Sequence, residues 1–151
     1  KRSATPSNEI ISTLSITDEE ALAAPSAVDW AVQGALTPIK DQGECGSCWA
    51  FSTTEGVESA VWKKTGKLPP ALSTEQLVDC EKKDDGCNGG DIPEAVRYLK
   101  KKGMATASDY PDRSSSSGRT RKCSWNGETT RVRFIIESFI IKIKVISESL
   151  N

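Results

Sequence analysis

Five cysteines and no histidine constrain this chain more than any other feature of its 151 residues. The cysteines stand at Cys45, Cys48, Cys80, Cys87 and Cys123. An odd count leaves one thiol over if the others pair, and such a thiol is either an inert buried group or a reactive one. Cys45-Gly46-Ser47-Cys48 alone is a C-x-x-C pair, a form shared by redox pairs and half zinc sites. A redox pair asks for a βαβ setting, which the surrounding pattern lacks. Zinc asks for four ligands in matched pairs, and the spacing of Cys80 and Cys87 suits that poorly. No metal site and no cofactor is expected.

Charge narrows the partners. Twenty basic and 21 acidic side chains leave a net charge of -1. No single-sign field exists to draw in nucleic acid or anionic lipid. The basic cluster Lys100-Lys101-Lys102 closes a predicted helix, where the dipole favours it. No segment reaches the ~18 apolar residues that span a membrane. Residues 1–10 carry no apolar h-region and read as part of a longer precursor rather than a signal peptide.

Periodicity and capping signals predict three helices. Ala50, Thr53, Thr54, Val57, Ala60 and Val61 recur at helical spacing, so a helix is expected over about 48–65, with Gly66 just past its end. Ser73-Thr74-Glu75-Gln76 reads as a capping box that opens a short helix reaching Cys80. Asp91 is the expected N-cap of a third helix that Gly103 stops. Residues 1–23 are read as a flexible arm, with Ser15 to Glu20 able to cap a short helix. Val28-Asp29-Trp30 is read as extended, 86–90 as a glycine-rich loop, and 112–120 as an exposed loop. From Arg131 to Ile146, lysines alternate with β-branched residues, which predicts strands. Trp30, Trp49, Trp62 and Trp125 are expected to serve packing.

The stretch Asp41-Gln42-Gly43-Glu44-Cys45-Gly46-Ser47-Cys48-Trp49-Ala50-Phe51 contains C-G-[SA]-C-[WY], the mark of papain and the cathepsins. The chain resembles that family beyond the motif. Leu72 to Cys80, Gly86-Cys87-Asn88-Gly89-Gly90, Asp109-Tyr110-Pro111 and Cys123 follow in the family's order. The resemblance runs from about Ala24 to about Cys123. It implies an α+β fold, with a papain-like helical domain over 24–130 and the truncated start of a β-rich domain over 131–151. Residues 1–23 then resemble the end of a propeptide.

The same resemblance implies the site. A thiolate is the working nucleophile, and a free cysteine has a pKa near ~8.5. Cys48 heads the long helix, where unpaired backbone N–H groups and the dipole favour negative charge. Gln42, six residues earlier, resembles the side-chain donor of the family's oxyanion hole, a group worth ~3 kcal/mol of barrier. The Cys48 N–H would be the second donor. Gly89 and Gly90 fall where the family's backbone pairs with an extended peptide substrate, and Ile92 where one wall of an apolar pocket lies. The implied disulfides are Cys45–Cys87 and Cys80–Cys123. Each closes a loop of about 43 residues, worth roughly 4 kcal/mol on the loop-entropy treatment.

The expected activity is therefore thiol-dependent hydrolysis of peptide bonds through a thioester, acting on peptide or protein substrates. The family also needs a histidine to take the thiol proton and an asparagine to orient it. This chain has no histidine, so a missing or separate domain must supply both, and the chain alone is expected to be inactive. The alternative is a non-catalytic half-domain that binds peptides or blocks a protease. Two disulfides imply folding in the secretory pathway, for a lysosomal, vacuolar or extracellular destination.

Overall fold

A computed structural model describes residues 17–127 of the chain. The strands expected over 131–146, and most of the arm expected over 1–23, lie outside the described residues. Residues 17–28 and 29–127 belong to different compact units and are taken in turn. In the first, a short helix α1 spans Asp18–Ala23, beginning where the Ser15 to Glu20 segment promised one.

In the second unit the regular elements are helical among the described residues. They are α2 (Cys48–Thr65), α3 (Thr74–Cys80), a 3₁₀ turn (Gly86–Asn88), α4 (Ile92–Lys102) and α5 (Ser114–Ser117). The three expected helices are α2, α3 and α4. α2 packs against both α3 and α4. Its buried face carries Trp49, Ala50, Thr53, Thr54, Val57, Ala60 and Val61, the positions spaced for a helical stripe. Lys63 and Lys64 fill its last turn, and Gly66, at φ 72°, donates its N–H to the Trp62 carbonyl at 2.7 Å.

α3 is buried throughout, with Leu77 and Val78 at its centre. Leu99 and Ala95 of α4, together with Leu72 and Met104, complete the core. Burying each such leucine contributes roughly 1.5–3 kcal/mol. An antiparallel bridge joins Leu72 to Thr106, with Ser73 N–H to the Ala105 carbonyl at 2.9 Å and Ala107 N–H to the Ala71 carbonyl at 2.7 Å.

Local expectations met four corrections. The capping box forms only its first half: Ser73 Oγ accepts the Gln76 N–H at 3.1 Å. The Gln76 side chain turns inward instead. Its Oε1 accepts the Ala105 N–H at 2.6 Å and its Nε2 donates to the Gly103 carbonyl at 3.1 Å. Those groups are buried, so satisfying them matters more than a second cap bond. Asp91 occupies the N-cap position of α4, yet its side chain makes no capping bond. Pro93 in the first turn has no N–H to cap, and Asp91 is held by its backbone N–H, which donates to Asp84 Oδ1 at 2.9 Å.

Trp30 lies in a turn rather than an extended segment. Asp29 Oδ1 accepts the N–H groups of Ala31 and Val32 at 2.9 and 3.1 Å, and that Asx pattern bends the chain. The Trp30 ring meets Trp62 edge-on, with centroids 6.5 Å apart. Finally, 112–120 is not wholly exposed. Asp112 Oδ1 accepts the Ser115 N–H at 3.1 Å and starts the single turn of α5, whose first residue, Ser114, is buried.

Candidate active site

Cys48 is the first residue of α2, and its thiol is free and exposed. The residue before it, Ser47, is fully buried, and its carbonyl accepts the Ala50 and Phe51 N–H groups at 2.9 and 3.1 Å. The Cys48 N–H is one of the helix-start donors with no partner inside the helix. A sulfur here stands at the positive end of an 18-residue helix.

The loop before Cys48 is fixed from several sides. Gln42 Nε2 donates to the Cys45 carbonyl at 2.9 Å, which pins the amide of a half-buried side chain six residues before the helix start. That bond takes one of the two amide N–H donors and leaves the second. The Gly46 N–H donates to the Cys87 carbonyl at 2.9 Å, and Cys45 is joined to Cys87 by a disulfide. The glycine loop is thereby bound to the nucleophile loop. Cys80 is joined to Cys123 by the second disulfide.

Upstream, Lys40 carries the anchoring charge. Its Nζ lies 2.6 Å from Glu58 Oε2 on the buried face of α2. Glu58 is fully buried, and its remaining acceptor capacity is used by the Thr37 hydroxyl at 2.6 Å and the Leu72 N–H at 2.7 Å. One carboxylate thus clamps the incoming segment, α2 and the start of the bridge strand. Sequence reasoning missed this residue. Its signal was a glutamate lodged between Val57 and Val61 on the apolar stripe.

Gly90 lies flat against Trp49, the residue after Cys48. A Cβ there would sit 2.6 Å from two ring carbons and 2.8 Å from Asp84 Cβ. Gly89 has φ 122°, a backbone that side chains rarely adopt, with open space around it. Glycine is therefore demanded at Gly90 by packing on the indole, independently of any ligand. Trp49 Nε1 donates to the Gly86 carbonyl at 3.1 Å and carries the loop from below. Ile92, the first residue of α4, exposes 48% of its surface beyond the loop.

Asp84 sits beneath this loop. Burial pushes its carboxyl above the ordinary range, and the Asp91 N–H bond pulls the other way. Among the described residues its buried Oδ2 has no hydrogen-bond partner. No group of metal-ligating side chains able to hold an ion occurs among the described residues.

A free thiol at a helix start thus follows a loop that the Gln42 amide pins at the Cys45 carbonyl, and the Cys45–Cys87 disulfide ties that loop to the one carrying Gly89 and Gly90. Residues 24–146 match the family described as papain family cysteine protease. The chain belongs to the papain family of cysteine proteases. It is 44% identical over 117 residues to digestive cysteine proteinase 1 of Homarus americanus, covering 75% of this chain and 35% of that one. It is 50% identical over 95 residues to vignain of Phaseolus vulgaris, covering 62% of this chain and 26% of that one. Among solved structures it is similar to the Carica candamarcensis cysteine protease CMS1MS2 in complex with E-64. The TM-score is 0.65 at 36% identity, over 73% of this chain and 50% of that one. This papain-family chain spans about a third or less of the two curated relatives, and its described helices correspond to the helical domain of the fold.

Proposed function

We propose that this chain carries the nucleophile half of a papain-type cysteine endopeptidase. The observation that carries the reading is the free, exposed Cys48 at the start of α2, after a loop that the Gln42 amide pins at the Cys45 carbonyl. In the proposed chemistry the Cys48 sulfur attacks the carbonyl carbon of a peptide. The Gln42 amide and the Cys48 N–H stabilise the developing oxyanion. The C–N bond breaks, the amine leaves with a proton, and water hydrolyses the thioester to regenerate the thiol. Gly89 and Gly90 offer backbone for an extended substrate, and Ile92 an apolar contact beside it.

Proton transfer requires a base, and these 151 residues contain no histidine. The base, and the asparagine that orients it, come from residues outside this sequence or from a separate chain. The chain alone is inactive on this reading, and its site forms only with that second part. The two disulfides support folding in the secretory pathway, with a lysosomal, vacuolar or extracellular destination. No helix among the described residues is long and apolar enough to cross a membrane.

The test combines a thiol-specific epoxide with a fluorogenic peptide. The full 151-residue chain should show no turnover. A version joined to a histidine-bearing second domain should turn over, and Cys48→Ala should abolish that activity. Turnover by the chain alone would defeat the requirement for a second part. Undiminished turnover in Cys48→Ala would defeat the mechanism.

The absence of histidine favours a second reading, a half-domain that binds peptides or blocks a protease without hydrolysis. Saturable peptide binding by the chain alone, with no activity after the second domain is supplied, would select it.

A further inference from the structure

The segment from α5 to Arg121 touches both loops of the candidate site. On the nucleophile side, the Ser115 carbonyl accepts the Glu44 N–H at 2.8 Å. Backbone meets backbone there: a Cβ at Gly43 would lie 2.2 Å from the Ser115 carbonyl oxygen, and one at Gly118 would lie 3.2 Å from that of Glu44. On the glycine-loop side, Thr120 Oγ1 accepts the Cys87 N–H at 2.8 Å. The Thr120 side chain also fills the space beside Gly86, where a Cβ would lie 2.0 Å from Oγ1. Two carboxylates of α3 hold the segment in place. Glu75 Oε2 accepts the Ser114 N–H at 3.0 Å, and Asp79 Oδ1 accepts the Arg121 N–H at 2.6 Å.

These ties converge on Cys87. Its sulfur is bonded to Cys45, its carbonyl accepts the Gly46 N–H at 2.9 Å, and its N–H goes to Thr120. The first two ties join Cys87 to the loop that leads into Cys48. Thr120 supplies the third, next to a residue that α3 holds by its N–H. The Thr120–Cys87 bond is exposed, so water can replace it at little cost in stability. Water cannot replace a fixed position. We propose that Thr120 is a positioning residue of the site: its hydroxyl oxygen sets where Cys87 lies, and through Cys87 the register of the glycine loop against the start of α2. This rests on the endopeptidase reading above, in which Gly89 and Gly90 meet the substrate and Cys48 attacks it. A peptide held by one loop must then reach a sulfur carried by the other, and a displacement of ~1 Å between them can cost about a hundredfold in rate.

Two substitutions separate the hydroxyl from the shape of the side chain. Thr120→Val keeps the branched shape beside Gly86 and removes the acceptor, whereas Thr120→Ser keeps the acceptor. In the full 151-residue chain, amide hydrogen exchange followed by NMR reads the Cys87 N–H and the Gly46 N–H, whose acceptor is the Cys87 carbonyl. Thr120→Val should speed exchange at both, about tenfold at Cys87, with the urea midpoint unchanged, and Thr120→Ser should restore the protection. In the chain joined to a histidine-bearing second domain, Thr120→Val should lower kcat/KM about tenfold or more. KM should carry most of that loss, because the glycine loop holds the substrate before and during reaction, and Thr120→Ser should recover it. An unprotected Cys87 N–H in the unaltered chain, unchanged Gly46 exchange in Thr120→Val, unchanged kcat/KM, or a loss that tracks a lowered urea midpoint overturns the proposal. If the unsubstituted joined chain shows no turnover, the endopeptidase reading fails, and the exchange measurements alone decide whether Thr120 positions Cys87.

Discussion

Trp49 carries Gly90 on its indole face: a Cβ at Gly90 would lie 2.6 Å from two ring carbons, while the ring nitrogen donates to the Gly86 carbonyl at 3.1 Å. The residue after the free thiol is thereby the floor of the glycine loop. Gly90→Ala must push the loop off the indole, at a cost of about 1–3 kcal/mol for overpacking. Trp49→Phe loses a buried hydrogen bond and should cost about 1–3 kcal/mol by itself. The two changes share a contact, so their effects should not add, and urea unfolding of the single and double variants measures the coupling. Additive losses would separate the ring from the loop.

A second expectation concerns Glu58 and Lys40. Lys40→Met leaves a fully buried carboxylate without its counter-charge, and the expected loss is about 3 kcal/mol or more. Glu58→Gln keeps an oxygen for the Leu72 N–H and should be milder than Glu58→Ala, which strands that donor. Chemical denaturation of the three variants gives the order. A loss well under 1 kcal/mol for Lys40→Met would show that the pair behaves as a surface bridge.

These two clusters mark where the sequence was legible and where it was not. Helix periodicity located α2, and cap and stop residues located α3 and α4, because both signals are local. The motif located Cys48, Gln42 and the glycine loop, because residue type and order suffice to name them. Packing and polar pairing were not legible. Nothing in a chain of letters says that Gln76 will prefer the Ala105 N–H to its own helix start, or that Gly90 answers to an indole 41 positions earlier. Ser114 was hidden for the same reason: a serine-rich stretch reads as solvent-facing until a buried Glu75 asks for its N–H. Glu58 left one weak trace, a charged residue beside an apolar position, while Glu75 and Asp84 stand between polar neighbours and left none; burial alone turns them into chemistry.

Thiol counting tests the disulfide pattern. Without reductant the unfolded chain should show a single reactive thiol, and Cys48→Ser should show none. Cys80→Ser removes the bond to Cys123 and frees that sulfur, with an expected loss of roughly 4 kcal/mol on the loop-entropy treatment. A thiol that survives in Cys48→Ser would mean that one of the two pairs does not form.

Acid dependence of stability follows from the carboxyls that the fold perturbs. Burial is the largest influence on Glu75; hydrogen bonds from Ser114 and Arg113 oppose it, and the Asp79 charge adds to it. The balance raises Glu75 above its ordinary value of 4.5, and burial likewise raises Asp84 above 3.8. The folded chain therefore binds these protons more tightly than the unfolded one. Their contribution is fully present below the unfolded values and is lost as pH rises through the folded ones. Glu94 runs the other way. Its bonds to Lys83 and Arg97 lower it, so its contribution is present above the unfolded value of 4.5 and lost as pH falls through its folded one. The Glu94 ion pairs lie on exposed Lys83 and Arg97 and are screened by solvent, so Glu75 and Asp84 should dominate. Urea midpoints should fall from mildly acid to neutral pH. Glu75→Gln has no proton to lose, and the amide costs less to bury than the ionised carboxylate, so the variant should flatten the decline and lie above the parent chain at neutral pH. A parent chain whose stability climbs from mildly acid to neutral pH would refute this assignment of the buried carboxyls.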